Sequence, residues 1–154
     1  MTRVNLVEPS SLMDQHLFAE FREIKMIAKA LRRSLSASSK RGETQQQFLQ
    51  RIPKNFTLNT GHVSFFYDKG LYLQERYTSL QAELRKRNMN FDEKALLDDA
   101  GVFHSVGEMF NRHYEPTAEA LSLIRQRIAE KIAMKPNWYR HYGKVCYSGG
   151  SSTT

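Results

Sequence analysis

The chain has 154 residues, 40% hydrophobic and 25% charged, which is the composition of one ordinary globular domain with enough chain to bury a core. Lys and Arg number 23 against 16 Asp and Glu, a formal net charge of +7 that favours a polyanionic partner such as DNA, RNA or an acidic membrane face. A single cysteine, Cys146, excludes an internal disulfide and a thiolate metal site, and His16, His62, His104, His113 and His141 show no HExxH-like spacing, so neither a metal nor another cofactor is expected.

The opening Met1-Thr2-Arg3-Val4-Asn5 lacks a signal-peptide core, and no apolar run approaches the roughly 18 residues that cross a bilayer. A cytosolic or nuclear protein without a membrane partner is expected. From Asp14 to about Leu35, the residues Leu17, Phe21, Ile24, Ala28, Leu31 and Leu35 recur at three- and four-residue steps and line one face of a long helix. Ser36 to Gln47 is polar, contains Ser38-Ser39-Lys40-Arg41-Gly42, and reads as a surface connection, with a short helix over Gln45 to Gln50 before Pro53.

A second helix is expected from about Gly61 to Asn88, capped by Asn59 or Thr60, with Phe66, Leu73, Tyr77, Leu80 and Leu84 as its buried stripe and Gly70 as a point of close packing. Asn90 to Glu115 is weakly patterned. The third helix opens at Pro116, where a missing amide costs nothing, and closes before Pro136. Its inward row is Leu121, Ile124, Ile128 and Ile132. No stretch alternates as a strand must. The expected architecture is all-α, a single compact domain over residues 1–147 with three main helices and long irregular connections, followed by a disordered tail at 148–154.

Three features could carry chemistry. Pro136 to Lys144 interleaves Trp138, Tyr139 and Tyr142 with Arg140 and Lys144, a mixture in which rings stack on bases while cations neutralise phosphates; the same rings could instead cap the core. On the first helix, about 100° per residue brings Glu23 beside Ala19, His16 and Met26 at the border of the apolar face, where a partly desolvated carboxylate suits proton transfer; the alternative is a solvated carboxylate paired with a cation, and periodicity alone does not nominate Glu23. At the terminus, Thr2 is small enough for Met1 to be removed, leaving an α-amine with a reference pKa near 8 against about 10.4 for lysine, hence a nucleophile at neutral pH.

Four blocks join these features. The opening Thr2-Arg3-Val4-Asn5-Leu6, Asp14 to Glu23, Thr60 to Lys69, and the closing Lys131-Ile132-Ala133 with Pro136-Asn137-Trp138-Tyr139 resemble, in order, the pyrimidine-dimer DNA glycosylase/AP lyase family of the phage endonuclease V type, closer to its algal-virus members. The resemblance implies a compact set of three helices with the N-terminal segment passing between helices. It implies a monomer that acts on double-stranded DNA containing cyclobutane dimers or abasic sites, without a metal. It makes the Thr2 amine the nucleophile and gives Glu23 the acid/base or charge-stabilising role. By the same correspondence Arg3, Gln15, His16 and Arg22 lie at the lesion, Arg127 and Lys131 face DNA from the third helix, and Trp138, Tyr139, Arg140 and Tyr142 form the adjoining surface.

The chain departs from the phage prototype in three places. Lys25-Met26 replaces a Pro-Arg pair, so a phosphate-contacting arginine is either lost or replaced by Lys25; Arg140 and His141 intervene before Tyr142; and the connection from Ser36 to Pro53 is longer. Two other readings compete: a non-catalytic DNA- or RNA-binding module using the same basic surface, and a metal-dependent nuclease built on His104, His113 and nearby acids.

Overall fold

The apolar row Leu17, Phe21, Ile24, Ala28 and Leu31 is buried as its period requires, but two helices carry it rather than one. The computed structural model describes residues 4–145. It contains α1 (Asp14–Glu23), α2 (Met26–Lys40), α3 (Gln45–Arg51), α4 (His62–Phe65), α5 (Gly70–Lys86), α6 (Val102–Ser105) and α7 (Ala118–Met134). Short 3-10 turns at Pro9–Ser11 and Glu108–Phe110 and a hairpin of β1 (Arg140–His141) and β2 (Lys144–Val145) complete the described chain. The all-α class is as expected. Among the described residues no helix is long and apolar enough to cross a membrane.

The expected first helix bends at Ile24 and Lys25. Both residues keep right-handed helical angles, and the Ile27 amide bonds the Ile24 carbonyl at 3.2 Å, an i to i−3 contact that tightens the turn. The four- and three-residue steps pass through the bend unbroken, which is why periodicity does not reveal it. The bend lets α1 pack on α5 while α2 packs on α4 and α6, and it leaves Glu23 at the end of α1.

Helix α2 runs on to Lys40, through serines that composition assigned to a surface connection. The polar end is satisfied internally. Ser38 is buried and its hydroxyl donates to Glu43, whose carboxylate also takes two bonds from Arg51 at 2.7 Å, while the amides of Arg41, Gly42 and Glu43 close on α2 carbonyls. The short helix expected over Gln45 to Gln50 is present as α3, with a capping box between Thr44 and Gln47.

The expected second helix is divided into α4 and α5, and Gly61, at φ 100°, caps α4 in place of Asn59 or Thr60. The break falls at Tyr67 to Lys69. There the Lys69 ammonium donates to the Phe65 carbonyl and to Asp68, both at 2.8 Å, and satisfies the end of α4. Gly70 begins α5 where the chain passes Phe103 and Asn111: a Cβ there would stand 2.7 Å from Phe103 Cγ and 2.6 Å from Asn111 Oδ1. The expected close packing is real.

Helix α7 is capped by Thr117 rather than opened at Pro116, the Thr117 hydroxyl accepting the Ala120 amide at 3.0 Å. Of its inward row Ile124 is fully buried, and Leu121, Ile128 and Ile132 are half-buried. The segment from Asn90 to Glu115 contributes Leu97, Val102, Phe103 and Phe110 to the core without any period. The N-terminal segment contributes Val4, Leu6, Val7 and Leu12. The two-residue strands of the hairpin are too short to show alternation in sequence. Thr2, Arg3 and the 148–154 tail lie outside the described residues.

Candidate active site

His16, Ala19, Glu20 and Glu23 stand at positions i, i+3, i+4 and i+7 of α1 and therefore share one helical face. Arg127, Ile128 and Lys131 of α7 and Asn5 of the N-terminal segment join them around a cavity of about 400 Å³. Glu23 is the last residue of α1 and so lines this cavity from a helix end.

The chain entering this cavity is held by buried side chains. The Val4 amide donates to His62 Nε2 at 3.0 Å, and His62 Nδ1 lies 2.8 Å from the Thr57 carbonyl. A carbonyl only accepts, so Nδ1 carries the proton and Nε2 accepts from Val4. The Asn5 amide and its side-chain Nδ2 both donate to Glu20 Oε1, at 3.2 and 2.9 Å. Arg76 pairs with the same carboxylate at 2.7 and 3.0 Å and also donates to the Val7 carbonyl. Glu20 is thus neutralised and fully engaged.

Glu23 is in the opposite condition. It is half-buried, and among the described residues it forms no hydrogen bond or ion pair. Across the cavity stand the cations of Arg127 and Lys131, and Arg127 Nε is buried without a hydrogen-bond partner among the described residues. Unmatched buried donors beside an uncommitted carboxylate mark a place where an anionic or hydroxylated ligand completes the bonding.

His16 completes the wall. Burial, and after it the charge of Lys131, lower its pKa from 6.5 to about 4, so the imidazole is neutral at physiological pH. Neither ring nitrogen has a partner among the described residues, and the ring packs on Tyr139 at 4.6 Å between centroids.

Through Tyr139 the cavity adjoins the C-terminal hairpin. The Gln15 side chain donates to the Trp138 carbonyl at 2.8 Å and accepts the Arg140 amide at 3.0 Å. Asp14 accepts the amides of Tyr142 and Gly143 at 3.1 and 2.9 Å, and the Tyr142 hydroxyl bonds Glu83 while Arg87 lies over its ring at 4.4 Å. The side chains of Gln15 and Tyr142 are therefore committed to latching this hairpin. Trp138 remains 49% exposed with Lys135 over its ring, Arg140 is exposed, and Tyr139 is buried.

Arg22 and Lys25 do not line this cavity. They line a larger groove of about 760 Å³ between α2 and residues 92–102, with Lys29, Arg32 and Arg33 on the same wall. Its opposite wall carries Asp92, Asp98 and Asp99, and Asp98 is committed to the α6 amides of Val102 and Phe103. Facing walls of opposite sign suit a phosphate chain less well than the cation-rimmed cavity does.

Of the residues singled out from sequence, the fold gathers Glu23, His16, Arg127 and Lys131 at one cavity, sets Gln15 and the aromatic residues beside it, and turns Arg22 and Lys25 to the neighbouring groove. Sequence reasoning did not single out Asn5, Glu20, His62 or Arg76. The i, i+3 relation of Glu20 to Glu23 is a usable signal for one; the others become visible only through tertiary contacts.

A basic helical protein whose cation-rimmed cavity holds an uncommitted carboxylate has the features of a DNA-processing enzyme. Residues 1–97 match the family described as pyrimidine dimer DNA glycosylase. The chain belongs to that family, and its activity is that of a DNA glycosylase acting on DNA with pyrimidine dimers. The match covers the N-terminal segment and α1 to α5, including Asn5, His16, Glu20 and Glu23; α7 and the hairpin lie beyond it.

Proposed function

We propose that the protein is a bifunctional glycosylase and abasic-site lyase whose nucleophile is the α-amine of Thr2 after loss of Met1. The observation that carries this reading is that Asn5 and Glu23 wall the same cavity. Chain geometry allows at most roughly 3.6 Å per residue, so an amine three residues before Asn5 stays within about 11 Å of it. Such an amine has the cavity in reach.

In the first step the neutral amine attacks C1′ of the 5′ nucleotide of the dimer. The C1′–N1 bond breaks, and the departing pyrimidine takes the electron pair and a proton. The amine then loses its protons to form an imine as the sugar ring opens, with O4′ becoming a hydroxyl. Removal of a C2′ proton expels the 3′ phosphate from C3′, which is β-elimination, and water then hydrolyses the imine to free the amine. Glu23, with no partner of its own among the described residues, moves protons at the sugar and stabilises the positive charge at C1′. The imine acts as the electron sink that acidifies the C2′ proton, so the sequence calls on no metal.

Arg127, Lys131 and exposed Trp138 and Arg140 would engage the DNA around the lesion, the cations on phosphates and the indole on a base. Arg3 is assigned a phosphate contact as well, Arg22 and Lys25 would meet DNA only from the neighbouring groove, and Gln15, Tyr139 and Tyr142 act by holding the hairpin and His16. An extruded adenine opposite the lesion costs less than moving two cross-linked pyrimidines together. A monomer suffices for this assignment, with all its groups on one chain.

The test is borohydride trapping on dimer-containing and abasic-site duplexes in EDTA. A covalent adduct is expected, and acetylation of the terminal amine abolishes both adduct and nicking; an adduct that survives acetylation removes Thr2 from the mechanism. Glu23→Gln is expected to keep lesion binding and lose turnover by about 10²- to 10⁴-fold. Salt-sensitive binding with no adduct under any condition would leave a binding module instead.

A further inference from the structure

We propose that His62 is a positioning residue for the nucleophile: its Nε2 fixes the backbone two residues beyond Thr2 and so sets where the amine can reach. The inference rests on the assignment of the Thr2 amine made above. His62 is 3% exposed, and its ring is held from the other side by donation of Nδ1–H to the Thr57 carbonyl at 2.8 Å. Phe56 and Phe66 meet the ring edge-on at 5.3 and 5.5 Å between centroids. The imidazole cannot rotate without losing the Thr57 bond and its aromatic packing, so Nε2 presents its lone pair in one direction.

Val4 is fully buried, and its N–H donates to that lone pair at 3.0 Å. Away from water, an unmatched amide is costly, so the backbone at Val4 follows the imidazole. One residue further on, Asn5 is fixed through Glu20 and lines the Glu23 cavity. His62 therefore anchors the chain two residues after Thr2. Reaction of a held amine gains from a high effective concentration at the sugar, and an error of about an ångström in placement is enough to cost a large part of it. In this scheme His62 acts through the Val4 backbone. A residue serving only the core would stabilise the fold and nothing else, and the two roles separate by experiment.

His62→Asn keeps a donor near Nδ1 for the Thr57 carbonyl and removes the acceptor for Val4; His62→Gln places an amide oxygen near the site of Nε2. A third protein replaces the Val4 amide by an ester, which deletes the N–H and leaves His62 untouched. Each is checked by mass spectrometry for loss of Met1, by urea unfolding, and by DNA anisotropy. Single-turnover borohydride trapping on an abasic-site duplex is the readout. His62→Asn and the Val4 ester are expected to bind the duplex within about twofold of the unmodified protein and to trap about tenfold or more slowly, with His62→Gln recovering most of the rate. The Val4 ester carries the test if His62→Asn does not fold. Trapping at the full rate by either folded protein, or a fall that only parallels lost DNA affinity, overturns the proposal. Unmodified protein acetylated at its terminus runs alongside: if it still traps, the nucleophile assignment has failed, whereas if acetylation abolishes trapping and the Val4 ester does not slow it, His62 alone has failed.

Discussion

Glu20 and Arg76 form an ion pair at 2.7 Å with side chains 0% and 5% exposed, and the same carboxylate accepts both amides of Asn5. The pair joins α1 to α5 and fixes the N-terminal segment between them.

Removing one partner strands the other. Arg76→Met leaves the Glu20 carboxylate in the core with only Asn5 as donor, and a loss of about 3–5 kcal/mol in urea unfolding is expected. Combining it with Glu20→Gln should recover much of that loss, because no buried charge then remains. A penalty under about 1 kcal/mol for Arg76→Met would show that water reaches the carboxylate.

His16 makes stability depend on pH. Its pKa is about 4 in the folded protein against 6.5 unfolded, so between these values the unfolded chain binds more protons and stability rises with pH. The contribution is whole above about pH 6.5 and declines as the pH falls toward about 4. His16→Phe keeps a ring against Tyr139 and should flatten that part of the profile. Equal slopes for both proteins, measured as urea midpoints from neutral to acid pH, would contradict the burial of a neutral imidazole.

Trp138 and Tyr139 are neighbours with different expected work. Trp138 is 49% exposed and Tyr139 is 6% exposed. Trp138→Ala should weaken duplex binding by about 1–3 kcal/mol and hardly alter unfolding. Tyr139→Ala should instead cost roughly 2–4 kcal/mol of stability, since it empties the space beside His16. Anisotropy and urea titrations on both variants give the comparison, and a reversed pattern would exchange their roles.

Gly70 is expected to tolerate no side chain. Alanine would bring its methyl against Phe103 and Asn111, and Phe103 is itself 4% exposed and hemmed in. The gain in helix propensity, up to about 1 kcal/mol, is smaller than an overpacking cost of about 1–3 kcal/mol, so Gly70→Ala should lower stability on balance. A variant as stable as the parent would mean that residues 102–111 shift freely.

Periodicity carried much of the fold. It located the buried stripe of α1 and α2, that of α5, and the row of α7, because helical spacing repeats whatever the helix packs against. It could not show the bend at Ile24 and Lys25, since the apolar steps run through it. Nor could polar composition reveal that α2 extends to Lys40, because Ser38 is satisfied by Glu43, five residues on. Leu97, Val102, Phe103 and Phe110 enter the core from an irregular segment and left no repeat to read.

The candidate site divides the same way. Glu23 and His16 were visible as one border of a helix face, and Thr2 as a small residue behind Met1. That Glu20 is occupied while Glu23 has no partner among the described residues was invisible in sequence: the partner of Glu20 is Arg76, 56 positions away. The His62 bond to Val4 spans 58 positions.

The amino-acid order by itself determined the helical class, the positive charge and the candidate reagents, since these depend on side-chain chemistry and on spacings within a few turns. The tertiary structure decided which of two carboxylates on one face stays uncommitted, which aromatic side chain faces solvent, and which buried groups hold the N-terminal segment. Those outcomes depend on contacts between residues far apart in the chain, and local spacing contains no information about them.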